Sequence, residues 1–536
     1  MIAAVTQHAR ECALVIVSLI ISASLIPSRA AAPIIPQSVR NNLQQRVEYG
    51  HVTGVVVGMV NADGRAFFSA GRVRAESDIV PGPDTIFEIG SISKGFTGTL
   101  LADMIARGEV ALDDPVQSYL PNHVTVPSGL TPISLLDLAT HRSGLPANPD
   151  NLCSQSLNGL FDCYTVERLY EFLNGHTLLH EPGSTWTYSN LGMGLLGHAL
   201  SLKAGLGYEA LLRQRILDPL ALNDTRITLS DEQRLRRSAP HWGVVPWGEF
   251  TMPALEGAGA ILSTASDLLT FLEHLSGLQT NLGAVATNAT RRRAATENPD
   301  LDMALAWLIL RAPGGELVWH DGATYGQNAF LGFHRASRRG VVVLCNNRLS
   351  TYGGIQDVGF HLLDSNLSLT APRRPATVPS ETLASYQGRY TSANGLSFDA
   401  LVQHGQLTLD YAPDASPGFS VHAESLTRFG AYELGINGSA LFNVTGTSAS
   451  LTWTQNGGSI TMNRVAVLPQ LDILQRENAP RLRLTGTPGF SYEIHSSTDL
   501  HSWTSREAHP PEAGEFPAPA LPSGIGFFQA KFPPLE

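Results

Sequence analysis

Residues 51–60 form an apolar, β-branched run that Asn61-Ala62-Asp63-Gly64 interrupts before an extended pattern resumes over 65–71. Two strands joined by a tight turn are predicted. From Ser91 the period changes. Phe96, Leu100, Leu101, Met104 and Ile105 recur at helical spacing down to a stop at Gly108. Helical patterns then continue as far as Leu268, Leu269, Phe271, Leu272 and Leu275. Strand patterns return at 317–320, 328–333 and 340–344, with a charged turn over 335–339, and a helix closes the region over 355–363. This order describes an α+β fold, one antiparallel sheet flanked by helices with an all-helical subdomain.

Thr370-Ala371-Pro372-Arg373-Arg374-Pro375-Ala376-Thr377-Val378-Pro379 is proline-rich and reads as a linker. Beyond it, residues 386–465 alternate short apolar and polar runs broken by Asn-Gly and Gly-Gly pairs, the pattern of an all-β module. A third, small β segment contains Tyr492, Ile494 and Trp503. The expected organisation is an export signal over 1–32, an α+β domain over 33–370, a linker over 371–380, a β-barrel module over 381–468 and a small β-rich module over 475–536. A chain of 536 residues is long enough for two to four domains.

Composition changes this picture little. With 43% hydrophobic residues, 15% charged residues and a net charge of −11, the chain is globular and offers no electrostatic footprint for nucleic acid. The N-terminus says more. Arg10 precedes an apolar run over 13–26, and Ser28-Arg29-Ala30 or Ala30-Ala31-Ala32 supplies a small-x-small cleavage site. The run is short for a membrane span, which needs about 20 apolar residues. Cleavage leaves a mature protein without a span, and the alternative is an uncleaved N-terminal anchor. Cys12 departs with the signal. Cys153 and Cys163 bracket a polar stretch and are expected to pair in an exported protein. Cys345, in Val341-Val342-Val343-Leu344-Cys345, reads as a buried, inert residue.

The candidate chemistry begins in Glu88-Ile89-Gly90-Ser91-Ile92-Ser93-Lys94-Gly95-Phe96-Thr97-Gly98. Ser91 and Lys94 share a helix face, so the amine can reach the hydroxyl. A serine becomes nucleophilic when a base takes its proton, and a desolvated lysine is such a base. A serine opening a helix also offers its own N–H to an oxyanion. Alone, Ser-x-x-Lys is a weak signal. It is joined by Pro182-Gly183-Ser184-Thr185-Trp186-Thr187-Tyr188-Ser189-Asn190 and by Trp319-His320-Asp321-Gly322-Ala323-Thr324-Tyr325-Gly326. Three other patterns carry nothing. Gly192-Met193-Gly194-Leu195-Leu196-Gly197 lacks a preceding strand and is explained by helix packing. His176 and His180 are followed by Pro182 with no third ligand, so no metal site is expected. No Gly-x-Ser-x-Gly elbow exists.

Ser-x-x-Lys, Tyr-x-Asn and a basic residue-x-Gly, in this order, resemble the serine β-lactamase and penicillin-binding protein superfamily. The wording Gly-Ser-x-Ser-Lys, Tyr-Ser-Asn and His-x-Gly is similar to the class C β-lactamase-related branch, and within it to the low-molecular-weight D-alanyl-D-alanine carboxypeptidase/endopeptidases. Residues 136–146 and 257–264 support the match, which covers roughly residues 40–365. The resemblance implies a β-lactamase/transpeptidase-like fold and no cofactor. Ser91 is then the nucleophile, with Lys94 and Tyr188 moving its proton. Asn190 orients Lys94 and donates to the substrate amide. His320 stands where class C β-lactamases carry lysine and holds a substrate carboxylate, more weakly. Gly322 lets substrate approach the strand, and the N–H groups of Ser91 and Ala323 form the oxyanion hole. Ala323, Tyr325 and Gln327 depart from the residues that relatives usually show, which leaves the substrate pocket open. The barrel module resembles the lipocalin-like barrels appended to such hydrolases, and the small module looks like one found at the ends of secreted bacterial proteins.

The expected function is an exported, periplasmic or secreted serine hydrolase. It would act through an acyl-enzyme on small molecules or peptidoglycan-derived D-Ala-D-Ala peptides, or on β-lactams. Partial charge on His320 should make turnover of carboxylate-bearing substrates poor at neutral pH and improve their affinity as pH falls toward 6. One alternative is a carboxylic-ester hydrolase on the same scaffold. The other is a non-catalytic protein that contacts the cell wall through its C-terminal β modules.

Overall fold

A computed structural model describes residues 32–152, 161–348, 354–411, 418–433, 436–446, 448–474, 481–487, 490–497, 504–511, 515–518 and 527–532. Residues 1–31 of the expected signal and Cys153 lie outside the described residues.

A helix, α1 (Gln37–Glu48), leads into the first two strands of the main sheet, β1 (Gly54–Asn61) and β2 (Gly64–Gly71). The remaining strands, β3 (Ala294–Ala295), β4 (Leu301–Met303), β5 (Leu308–Ala312), β6 (Gly315–Ala323), β7 (Asn328–His334) and β8 (Gly340–Cys345), follow about 220 residues later, a span long enough to hold the helical region. The order across the sheet is β2-β1-β8-β7-β6-β5-β4-β3. Central registers pair Val56 with Leu344, Phe330 with Val343 and Gly322 with Ala329, all antiparallel.

The unbroken apolar character of β1 and β8 follows from burial on both sides. Val56, Val60, Val342 and Leu344 face the core shared with the helical region. Val55, Val57, Met59, Val341, Val343 and Cys345 face a second core under α1 and the closing helix (Gln356–Leu363). Alternate side chains point to opposite faces, so a strand covered on both needs apolar residues at every position. Strand β1 begins at Gly54, after the expected start. Strands β3, β4 and β5, at one end of the sheet, went unpredicted, since segments of two, three and five residues carry too short a pattern to stand out.

Between β2 and β3 lie the helices α2 (Ile92–Ala106), α3 (Asn190–Ala204) and α4 (Ala265–Ser276), with shorter ones among them. Ser189 caps α3 by accepting a hydrogen bond from the Gly192 N–H at 2.8 Å. The helix therefore starts directly after the loop that holds Tyr188. Its glycines are packing sites: a Cβ at Gly194 would lie 2.4 Å from Leu255, and one at Gly197 would lie 3.1 Å from the Gly257 backbone.

After residue 379 the short helix Ser380–Tyr386 leads into a closed barrel of eight antiparallel strands, Gly388–Thr391 to Gly458–Ala466. First and last strands pair Arg389 with Ala466, and Tyr390, Phe398, Leu409, Phe442, Leu451 and Met462 fill the interior. A barrel of this strand number is just wide enough to be filled by side chains. Two three-stranded sheets follow. Gln470–Leu474, between the expected barrel and small module, pairs with Arg481–Thr485. Among the described residues, no helix is long and apolar enough to cross a membrane. Cys345 is a buried free thiol, pushed up to about 12 by burial.

Candidate active site

Ser91 forms the N-cap of α2, and its hydroxyl makes no capping bond to the helix backbone. It is left for other partners. The turn before it is tight: Gly90 has φ +50°, and a Cβ there would lie 2.7–2.9 Å from backbone atoms of Ala323. A Cβ at Gly322 would lie 1.9 Å from the Ile89 carbonyl and 3.1 Å from the Ser91 nitrogen. The end of β6 and the Ser91 turn therefore meet backbone to backbone, a contact that only glycines permit. This brings the Ser91 and Ala323 amides to one place.

One turn along α2, Lys94 is wholly buried. Its Nζ donates to Ser91 Oγ at 2.9 Å, Asn190 Oδ1 at 2.8 Å and the Ala258 carbonyl at 2.7 Å. Burial lowers its pKa to about 7, with Asp321 opposing the shift. Asn190 is held in turn, its Nδ2 donating to Asn148 Oδ1 at 2.9 Å. Asn148 carries no motif of its own and sequence reasoning passed over it, while Ala258 lies in the supporting stretch 257–264, to which the sequence assigned no contact with Lys94.

Tyr188 lies with its ring centroid 4.8 Å from Lys94 Nζ. Burial raises its phenol pKa, and a hydrogen bond with Ser91 opposes that shift. Behind the ring sits His141, whose ring centroid is 4.6 Å away. His141 is buried, adopts φ +58° and accepts from the Ser189 N–H at 3.2 Å through Nδ1. Burial keeps its pKa well below the usual histidine value, so it is a neutral support for the Tyr188 loop. Its place in Thr140-His141-Arg142-Ser143-Gly144 was the available signal.

His320 departs from the sequence expectation. It is buried on β6, and its Nδ1 lies 2.5 Å from the Asp321 carbonyl oxygen, which can only accept. Nδ1 therefore carries the proton, and Nε2, which has no hydrogen-bond partner among the described residues, presents a lone pair. Burial lowers the His320 pKa to about 4. A neutral imidazole offering a lone pair repels a carboxylate. The expected gain in carboxylate affinity toward pH 6 does not follow, because desolvation keeps the ring uncharged there.

Ser91 opens onto a cavity of about 170 Å³ lined by Phe161, Asn190, Phe250, Met252, Ala323, Thr324, Tyr325 and Arg348 among others. Glu88, the first residue of the serine motif, braces its wall. The buried carboxylate accepts from Thr324 Oγ1 at 2.6 Å, the Phe250 N–H at 3.0 Å and Arg237 Nη2 at 2.6 Å. Burial raises the Glu88 pKa, and Arg237 opposes it.

A serine at a helix N-cap, a buried lysine against it and a glycine-ended strand alongside define the arrangement, and the comparisons give it a family. A family described as Beta-lactamase matches residues 39–356, more than half of the chain. The chain belongs to this family. It is similar to the D-alanyl-D-alanine-carboxypeptidase/endopeptidase AmpH of Escherichia coli (strain K12), at 31% identity over 258 residues. That match spans 47% of this chain and 66% of AmpH, just under two thirds of the relative's length. The crystal structure of class C beta lactamase from Rhodobacter sphaeroides is similar with a TM-score of 0.53 and 26% identity, over 62% of this chain and 100% of that one. The octameric penicillin-binding protein homologue from Pyrococcus abyssi has a TM-score of 0.55 and 19% identity, covering 79% of this chain and 99% of that one. At that identity the likeness is one of fold.

Proposed function

We propose that this chain is an exported serine hydrolase that works through an acyl-enzyme on D-Ala-D-Ala type peptides or β-lactams. The observation that carries the reading is the 2.9 Å contact between Lys94 Nζ and Ser91 Oγ, made by a lysine whose pKa is lowered to about 7. Near neutral pH a large share of Lys94 is the free amine, with a lone pair to accept the serine proton. Ser91 Oγ then attacks the substrate carbonyl. The oxyanion accepts from the Ser91 and Ala323 N–H groups. Tyr188, a phenol that stays protonated, passes its proton to the leaving group and regains one from Lys94. Water releases the acyl group by the same steps in reverse order.

A carboxylic-ester hydrolase is the second reading, favoured by His320. With Nδ1–H committed to the Asp321 carbonyl, β6 presents no cation to a substrate carboxylate. Labelling decides whether Ser91 is the nucleophile. Wild-type protein should gain one covalent adduct with a fluorophosphonate and with a fluorescent penicillin, and Ser91→Ala, still folded by circular dichroism, should gain neither. Undiminished labelling of Ser91→Ala would overturn the assignment.

A further inference from the structure

We infer that the recess between α4, the next helix α5 (Gly283–Thr290) and the β7–β8 turn binds a phosphate-bearing ligand, at a site separate from the Ser91 cavity. Its ligand is independent of the chemistry at Ser91.

The β7–β8 turn is set apart by its charge. Arg335, Arg338 and Arg339 fall within five residues of a chain whose net charge is −11. Two of them, Arg335 and Arg338, line a cavity of about 260 Å³, and none of the described residues lining it carries a carboxylate. Arg335 is held from two directions: Nε donates to Glu316 Oε2 at 2.8 Å, and Nη2 donates to the Thr290 carbonyl at 2.9 Å. Its Nη1 makes no hydrogen bond among the described residues. Arg338 donates through Nη1 to the carbonyl of Gly277, the residue that ends α4, at 3.1 Å. Its Nε and Nη2 are left over in the same way. Each guanidinium is thus fixed by part of its donor set and keeps the rest for a ligand, and planar forks of this kind match phosphate oxygens.

Helix α5 adds donors of its own. The first N–H groups of a helix have no intrahelical acceptor, and no side chain caps this one at Leu282. Gly283, its first residue, lines the cavity, so the positive end of the helix borders the recess. His274 supplies an observation independent of these. It lines the cavity at 7% exposure, and its Nδ1 has no hydrogen-bond partner among the described residues. A buried polar nitrogen without a partner destabilises the fold, and a bound oxyanion accepting from it removes that penalty.

Along β6 and β7 the two sites stand at opposite ends. Ala323 pairs with Asn328 beside Ser91, and Leu317 pairs with His334 beside the arginine turn. The stretch from Leu317 to Ala323 spans about 20 Å at the usual rise of a strand. A ligand in the recess therefore leaves the Ser91 cavity open. Its phosphate belongs either to a soluble ester or to a lipid headgroup, and the test separates the two.

Calorimetry titrates the full-length protein with glycerol 3-phosphate and with glycerol, and sedimentation compares its binding to vesicles of phosphatidylglycerol and of phosphatidylcholine. Glycerol 3-phosphate should bind at one saturable site, and glycerol should not bind. Arg335→Gln and Arg338→Gln should each weaken binding about tenfold, through loss of a charge-assisted hydrogen bond. Both partners of the Arg335–Glu316 pair are partly exposed, so its loss costs the fold little. His274→Leu should weaken binding while leaving the melting temperature unchanged or raised, because it removes an unpaired buried nitrogen. Fluorophosphonate labelling of Ser91 should be the same in all three variants. Binding to phosphatidylglycerol vesicles alone, with the same loss in the arginine variants, supports the site and assigns its phosphate to a headgroup. No binding to either probe, or binding that survives Arg335→Gln and Arg338→Gln together, would overturn it.

Discussion

Three oxygen partners surround the Lys94 amine, and all three act as acceptors while it is charged. Its pKa of about 7 nevertheless means that desolvation outweighs these bonds and the pull of Asp321. The sign of the pH dependence follows. The acylation rate should rise as pH increases through about 7, as Lys94 loses its proton, and then level off because Tyr188 holds its proton to higher pH. Between about 7 and the ordinary lysine value, the unfolded chain keeps a proton that folded Lys94 has released, so this residue also favours folding more as pH rises across that window. With His320 held near 4, KM for a penicillin should stay flat between pH 7 and 6. Stopped-flow acylation and KM against pH check both statements. A fall in KM from pH 7 to 6 would mean that His320 gains charge there after all.

At the scale of the element, α2 is seated by what it lacks. A Cβ at Gly98 would lie 1.9 Å from the Leu305 carbonyl, and one at Gly95 would lie 2.6 Å from the buried Trp307 ring. In an exposed helix Gly→Ala gains about 1 kcal/mol from propensity, yet overpacking against rigid backbone costs about 1–3 kcal/mol. At Gly98 the second effect wins. We expect Gly98→Ala to lower the denaturant midpoint and slow Ser91 labelling, since α2 carries both Ser91 and Lys94. Gly175, at the end of Val166–Gly175 with nothing within 4 Å of its would-be Cβ, is the control. Gly175→Ala should leave stability unchanged or raise it. If both variants melt alike, the seating argument fails.

At the scale of the whole molecule, the barrel meets the hydrolase region at several places. Among them, His422 stands against His51 at 4.8 Å between ring centroids, and His404 Nε2 lies 3.6 Å from Glu76 Oε1. The hairpin around Trp242 is another. Val244 N–H donates to Ser420 Oγ at 3.0 Å, and Phe419 packs on Trp242. The same scale holds the question of compartment. Cys163 lies two residues along the chain from the cavity residue Phe161. We propose that the chain is exported, with its N-terminus cut near Ala31 or Pro33 and Cys153 paired to Cys163. N-terminal sequencing and non-reducing peptide mapping of protein from the periplasm or medium check this. An intact Met1 with both thiols free would contradict it.

Much of this protein is decided by local pattern. Continuous apolar runs and helical spacing foretold the central strands and α2, because a strand buried on both faces is apolar throughout and a helix seated in a core repeats its apolar residues each turn. Ser91 and Lys94 meet by helix geometry alone, since positions three apart share a face. Strands β3, β4 and β5 were not legible, because residues so short in run draw their conformation from the neighbouring strand. The site beyond its first pair belongs to tertiary structure. Tyr188, Asn190, His320 and Arg348 come from segments up to about 250 residues from Ser91, and nothing local requires them to converge. Charge state went the same way. A lysine near 7 and a histidine near 4 are consequences of burial, and burial is a property of the assembled fold that a motif cannot carry. The residue types were written in the chain, and which of them is buried and shifted in charge was decided by what packs around them.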